Sequence, residues 1–174
     1  TNKKILTDVF EKGDRWFSSG DLLKKDKQGY FYFVDRIGDT FRWKSENVAT
    51  SEVSEAISTY PGIKEANVYG VLVPGEDGRA GMASVVTDDT FSLDNLYNYL
   101  SSHLPKYSIP VFIRIAEEIE ITGTFKYKKT DLAKDGFDPS LVKDKLYVAS
   151  SEKNMFVDLN DNLFQKISNR EMKL

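Results

Sequence analysis

The feature that most constrains this chain is a change of hydrophobic period at Thr50. From there Val53, Ala56, Ile57 and Tyr60 recur at i, i+3, i+4 and i+7, and Pro61-Gly62 closes the run, which predicts an amphipathic helix with Thr50 as its N-cap. The period then shortens. "EANVYGVLV" (65–73) and "AGMASVV" (80–86), rich in small and β-branched residues, bracket the turn-forming "PGEDGR" and predict two strands joined by a loop. A second helix is expected from near Ser92, with Leu93, Leu96, Tyr97, Leu100 and Leu104 on one stripe and Pro105 as its stop. "VFIRIAEEI" (111–119) supplies a third strand, and "KKTDLAKDGF" a short helix that ends at Gly136, where a positive φ is wanted. Helix, strand, strand, helix, strand, helix is the order of an α+β domain, here a three-stranded sheet with covering helices.

The residues before Thr50 follow another pattern. Between Arg15 and Val34, turn signals at Ser19-Gly20 and from Asp26 to Gly29 separate short apolar-aromatic runs, which read as antiparallel hairpin strands. "DRIGDTFRWKSENVAT" reads as a linker, turn-rich at Gly38-Asp39, followed by a second short β-hairpin. Trp16, Phe17, Tyr30, Phe31, Tyr32 and Phe33 are more aromatic surface than so short a segment can bury on itself, and imply a neighbour to cover them.

With 174 residues the chain can bury a core without cross-links, and it has no cysteine, which excludes a disulfide framework, a thiol nucleophile and cysteine-ligated metal. Lys and Arg total 24 against 27 Asp and Glu, so the net charge of -3 offers no general attraction to nucleic acid or anionic lipid. Any anion site has to be local. No apolar run approaches the ~18 residues that a bilayer-spanning helix needs, and the N-terminal residues lack a signal-peptide pattern. The sequence starts at Thr1 and reads as the tail of something larger, while Met172-Lys173-Leu174 is a loose variant of the Ser-Lys-Leu peroxisomal address.

Several residues carry candidate chemistry. In "ITGTFKYKK" (121–129), Lys126, Lys128 and Lys129 form a solvated face, a nucleic-acid patch, or one catalytic cation with two bystanders, and their spacing does not decide among these. Asp21, just after a glycine turn, has two acceptor oxygens that suit the vicinal hydroxyls of a ribose, and it equally suits a local backbone cap. Arg36 reads as a ribose or phosphate ligand or as half of an Asp-Arg surface pair, and Gly38 as a swivel or a plain turn. His103 is the sole histidine and stands without a Ser or Asp constellation, so a structural role is expected and no zinc site.

Taken in order, "SSGDLL", "GYFYFVDRIGDTFRWKSENVATSEVSEAI", "VPGEDGRAGMASVV", "LPKYSIPVFIRI" and "TGTFKYKKTDLAKDGFDP" closely resemble the C-terminal part of the fatty acid transport protein and very-long-chain acyl-CoA synthetase family, within the adenylate-forming enzymes. The resemblance implies an acid-thiol ligase that turns a long- or very-long-chain fatty acid, ATP and CoA into acyl-CoA, AMP and pyrophosphate, coupled to fatty acid uptake. A bile-acid or branched-chain-acid CoA ligase, or a non-catalytic lipid-transport docking module, are its alternatives. It implies that residues 1–37 end the large N-terminal AMP-binding domain and that 38–174 form the small mobile C-terminal domain, with the hinge at Ile37, Gly38 and Asp39. Asp21 would hold the ribose hydroxyls of ATP or AMP, with Arg36 also facing the nucleotide. Lys44, Ser45, Glu46 and Asn47 would line the approach of the CoA thiol. Lys126 would be the lysine that enters the active site during adenylation, which answers the question its spacing left open. Magnesium would accompany ATP, with its ligands outside this sequence, as would the phosphate-binding loop, so the fragment alone is expected to be inactive. The implied partners are the large domain, fatty acid, ATP and CoA, and not nucleic acid. The parent protein is expected to be membrane-associated through other parts, at the endoplasmic reticulum, peroxisome or lipid droplet.

Overall fold

The structure is a computed structural model and describes residues 4–37, 39–119 and 129–174, with backbone alone at 129 and 130. It forms two compact units, Thr1–Asp39 and Thr40–Leu174.

The first unit is built from two hairpins. β1 (Ile5–Thr7) pairs antiparallel with β2 (Arg15–Phe17), and β3 (Asp21–Lys25) with β4 (Phe31–Arg36), the latter with a bulge between Leu22 and Leu23. Asp14 organises the first loop. Its carboxylate accepts the N–H groups of Val9 (2.8 Å), Phe10 (2.9 Å) and Glu11 (3.1 Å) and the Trp16 indole N–H (2.7 Å). Desolvation acts to raise its pKa, but these donors outweigh it and hold the group down at about 2. The aromatics of this unit stay exposed: Phe10 by 76%, Phe31 by 64% and Phe33 by 60%.

The second unit opens with a hairpin of β5 (Phe41–Trp43) and β6 (Glu46–Val48), as the turn signals predicted. Helix α1 (Thr50–Ser58) follows and buries Val53 and Ile57. Thr50 is not its cap. Ala49 takes that position without a side-chain bond, because Thr50 is drawn into the core at 1% exposure. Strands β7 (Ile63–Val71) and β8 (Ala80–Thr87) form an antiparallel pair, and helix α2 (Leu96–His103) crosses over to β9 (Phe112–Ile115), which runs parallel to β8. The regular helix begins at Leu96 rather than near Ser92, since residues 93–95 form a turn.

The α+β class holds, but the sheet has five strands where three were expected. After α3 (Lys129–Asp135) the chain adds β10 (Lys145–Ser150), β11 (Met155–Asp158) and α4 (Asp161–Ser168), giving the order β11-β10-β9-β8-β7. Both added strands are short and sit beyond the sheet's parallel pair. Only Leu146 and Val148 of β10 and Phe156 of β11 are buried, too sparse a pattern to announce a strand.

Successive strand residues face opposite sides. On one side the core stacks Phe137, just past α3, over Phe112 at 4.3 Å between ring centroids, with Phe164 of α4 against Phe137 at 5.5 Å. Gly136 ends α3 with φ +65, as its place in the sequence predicted.

Candidate functional site

The pairing of β3 with β4 makes Asp21 and Arg36 direct cross-strand partners. Arg36 Nε lies 3.5 Å from Asp21 Oδ1, with the side chains 54% and 30% exposed, so the pair is open to solvent and to a ligand. Gly20, at φ +81, sets the turn that presents Asp21, and the Asp21 N–H is capped by Ser19 Oγ at 3.2 Å. With its backbone satisfied in this way, the carboxylate keeps acceptor capacity for a diol, while the neighbouring guanidinium can donate to the same group.

Beyond Arg36 the strand stays tied for one more residue, through Ile37 N–H to Gly20 O at 2.8 Å, and Asp39 N–H closes a turn onto Arg36 O at 2.9 Å. Ile37 is 66% exposed. Gly38, Lys126 and Lys128 lie outside the described residues. Lys129 opens α3.

Lys44 and Ser45 form the two-residue tip of the β5–β6 hairpin, at φ 49 and φ 69. Two successive left-handed residues match the right-handed twist of the flanking strands, and the conformation is usually given to glycine or asparagine. The hairpin is firmly seated. Trp43 is buried at 3% exposure and bridges Gly78, and Arg79 N–H donates to Arg42 O at 2.6 Å. Gly78, at φ +87, leaves no room there for a Cβ, which would run into the Arg42 carbonyl oxygen. Lys44 Nζ donates to the Leu174 backbone oxygen at 2.7 Å and stands 5.6 Å from the Trp43 ring centroid. Glu46 and Asn47 project from β6, exposed. Beside this tip runs a groove of about 850 Å³ bounded by Trp43, Lys44, Tyr107, Ile109, Lys166 and Leu174. The 172–174 tripeptide contributes to its wall, with Met172 and Leu174 half-buried against the core.

His103 stacks on Tyr99 with 4.1 Å between centroids and bonds through Nδ1 to the Tyr99 carbonyl at 2.8 Å, closing the end of α2. Among the described residues no group of three or more His, Cys, Asp or Glu stands together as a metal site, and no helix is long and apolar enough to cross a membrane.

Sequence reasoning missed one charged cluster. Arg114, inside the apolar run of β9, binds Asp144 through Nε at 2.6 Å and faces Asp135 of α3 at 3.5 Å from Nη1. The available signal was the arginine within "VFIRI", which reads equally well as the solvent face of a strand.

Residues 52–126 match the AMP-binding enzyme C-terminal domain. The whole chain is 47% identical to "Long-chain fatty acid transport protein 2" of Rattus norvegicus, of which it spans 28%. Among solved structures, the "Mycobacterium tuberculosis fatty acyl CoA synthetase" shares the fold with a TM-score of 0.57 and 34% identity over 73% of this chain and 25% of that one. An o-succinylbenzoate CoA synthetase of Bacillus subtilis, solved with its acyl-adenylate intermediate, gives a TM-score of 0.64 and 28% identity over 71% of this chain and 25% of that one.

Proposed function

The chain belongs to the fatty acid transport protein and very-long-chain acyl-CoA synthetase family of adenylate-forming proteins, and from that premise we propose that it works within a longer ATP-dependent ligase for long- or very-long-chain fatty acids. The observation that carries this reading is the 47% identity to a fatty acid transport protein over the full length of this chain. In the first half-reaction the fatty acid carboxylate attacks the α-phosphorus of ATP, releasing pyrophosphate and leaving acyl-AMP. In the second, the CoA thiolate attacks the acyl carbonyl, giving the thioester and releasing AMP.

Asp21 and Arg36 support the nucleotide role by geometry: a half-exposed carboxylate accepts the ribose hydroxyls while the guanidinium beside it donates. Lys126, a compact ammonium, bridges the substrate carboxylate and the α-phosphate as negative charge shifts between them. Ile37, Gly38 and Asp39 are the hinge that exchanges this arrangement for the thioester-forming one. The seated turn at Lys44 and Ser45, with Glu46 and Asn47, then faces the incoming thiol. Magnesium accompanies ATP in this reading, and attachment to an intracellular membrane belongs to the longer protein.

The test is fatty-acid-dependent exchange of pyrophosphate into ATP, run over a series of acyl chain lengths with the longer protein and with the 174-residue chain. The expected result is exchange by the longer protein with long acyl chains and none by the 174-residue chain alone. Exchange with bile or branched-chain acids only would move the substrate assignment. No exchange with any acid would make the chain a docking module.

A further inference from the structure

The tip of the β5–β6 hairpin is the least self-sufficient part of its unit. Each strand has three residues, and the two that join them, Lys44 and Ser45, are exposed and left-handed. A two-stranded ribbon of this length does not hold its shape alone. Phe41, Trp43 and Val48 anchor its base in the core, and the backbone bond from Arg79 to Arg42 holds one edge. Both stop short of Lys44.

What reaches the tip comes from the other end of the unit. Helix α4 closes in a left-handed residue, Arg170 at φ +64, and the N–H groups of Glu171 and Met172 both return to Lys166 O, at 2.8 and 3.3 Å. A left-handed residue at this place ends a helix by turning the chain back on its last carbonyls. Residues 171–174 then alternate in exposure: Met172 and Leu174 pack half-buried against the core, while Glu171 and Lys173 stay in solvent. The Arg170 side chain lies so close over Gly75 that a Cβ there would run into its guanidinium. Gly75 belongs to the β7–β8 loop, the same loop whose Gly78 and Arg79 seat the hairpin. Leu174 in turn offers its backbone oxygen to Lys44 Nζ at 2.7 Å. Residues 170–174 thus touch both the loop that seats the hairpin and the tip itself, and α4 anchors them through Ile167, which is 1% exposed.

The bond to Lys44 matters because a lysine stem is flexible, and an unheld lysine at an exposed turn spreads over many rotamers. Here the ammonium stands between the Trp43 ring, 5.6 Å from its centroid, and the Leu174 oxygen. One such hydrogen bond shifts an equilibrium by about threefold to tenfold. That is too little to decide the fold and enough to decide which orientation the tip holds.

We propose that residues 170–174 are a strap that positions the β5–β6 tip: Arg170 over Gly75 and Leu174 on Lys44 keep Lys44 and Ser45 in the orientation that faces the incoming thiol. This rests on the reading of that tip as the thiol-side turn. It adds that thioester formation, unlike adenylation, depends on a segment 130 residues away along the chain.

The test pairs amide hydrogen exchange of the 174-residue chain with single-turnover kinetics of the longer protein. Deletion of residues 172–174 removes the acceptor, Lys44→Met removes the donor while keeping a stem over Trp43, and Lys44→Arg keeps a donor of similar reach. Arg170→Gly takes away the arm over Gly75 and suits the positive φ, so the end of α4 is spared. The deletion, Lys44→Met and Arg170→Gly should each speed exchange of the hairpin amides by about threefold to tenfold and leave β7 and β8 within about twofold, with Lys44→Arg near the original. In the longer protein the deletion and Arg170→Gly should slow thioester formation from supplied acyl-adenylate by about the same factor and change adenylation less than about twofold. Lys44→Met is kept to the exchange measurement, because Lys44 itself belongs to the thiol-side turn. Unchanged hairpin exchange in both Lys44→Met and the deletion overturns the strap, as do equal losses in the two half-reactions. Faster exchange across β7 and β8 in the deletion, beside silent Lys44→Met and Arg170→Gly, would mean that Met172 and Leu174 serve only the core, and overturns it too. Ser45→Val, which disturbs the tip directly, separates the strap from the reading it rests on. If that variant leaves thioester formation intact, the thiol-side turn falls and the strap's purpose with it, while exchange in Lys44→Met still reports whether the strap exists.

Discussion

Lys126 is asked to act at one stage of the reaction only, and that makes its role measurable. In the proposed reaction its charge matters while negative charge passes between carboxylate and α-phosphate, and it has no task once the adenylate is formed. Lys126→Ala in the longer protein should therefore slow adenylation by about a hundredfold or more, the scale of losing one transition-state electrostatic contact, and leave thioester formation from supplied acyl-adenylate nearly intact. With Lys126 as the acting cation, alanine at Lys128 or Lys129 should alter each step only slightly. Single-turnover kinetics of the two half-reactions decide it. A larger adenylation defect at Lys128 or Lys129 would place the catalytic cation there instead. At this scale the sequence was uneven as a guide. Turn and residue type left Asp21 and Arg36 open between ligand and surface roles and the family resemblance singled them out, while the hairpin register brings them within 3.5 Å of each other. Nothing in the sequence singled out Arg114, because Asp135 and Asp144 are partners brought to it only by folding.

Elements whose period is carried by several large apolar residues were legible. Helix α1, the β7–β8 pair and the Gly136 stop all lie where Val53, Ile57, the β-branched runs and the missing Cβ put them. β10 and β11 were not, since each depends on the strand beside it rather than on a face of its own. The β5–β6 hairpin was read from its turn-rich sequence, but its tip is unusual in placing Lys44 and Ser45 at positive φ. A left-handed conformation costs an L-residue about 1–2 kcal/mol, and branching at Cβ adds to that. Ser45→Gly should thus raise the unfolding free energy by less than about 1 kcal/mol, the relief of strain being offset by glycine's greater unfolded freedom, and Ser45→Val should lower it by more than about 1 kcal/mol. Urea denaturation of the 174-residue chain measures both. Equal stability of the two variants would mean that the tip relaxes out of the left-handed region and is not the fixed turn the thiol-side reading needs.

For the molecule as a whole, the proposed chemistry requires one set of residues to serve two half-reactions. Asp21 and Arg36 belong to the unit Thr1–Asp39, whereas Lys44 and Ser45 belong to Thr40–Leu174, and the sequence between them holds Ile37, Gly38 and Asp39. A swivel at this point has to change φ and ψ over a few residues without disturbing either unit, and a glycine permits the widest change. Proline removes that freedom by fixing φ near -65°. Gly38→Pro in the longer protein should accordingly favour whichever orientation tolerates that φ, so that one half-reaction keeps a rate within a few fold of the original while the other falls by about tenfold or more. Gly38→Ala, which narrows φ without fixing it, should give a smaller bias in the same direction. Pyrophosphate release and acyl-CoA formation from supplied acyl-adenylate, measured separately on the same folded preparation, give the two rates. Equal losses with the fold retained would mean that the units do not turn at Gly38, and that the exchange of Lys126 for the thiol-side turn needs its pivot elsewhere in the chain.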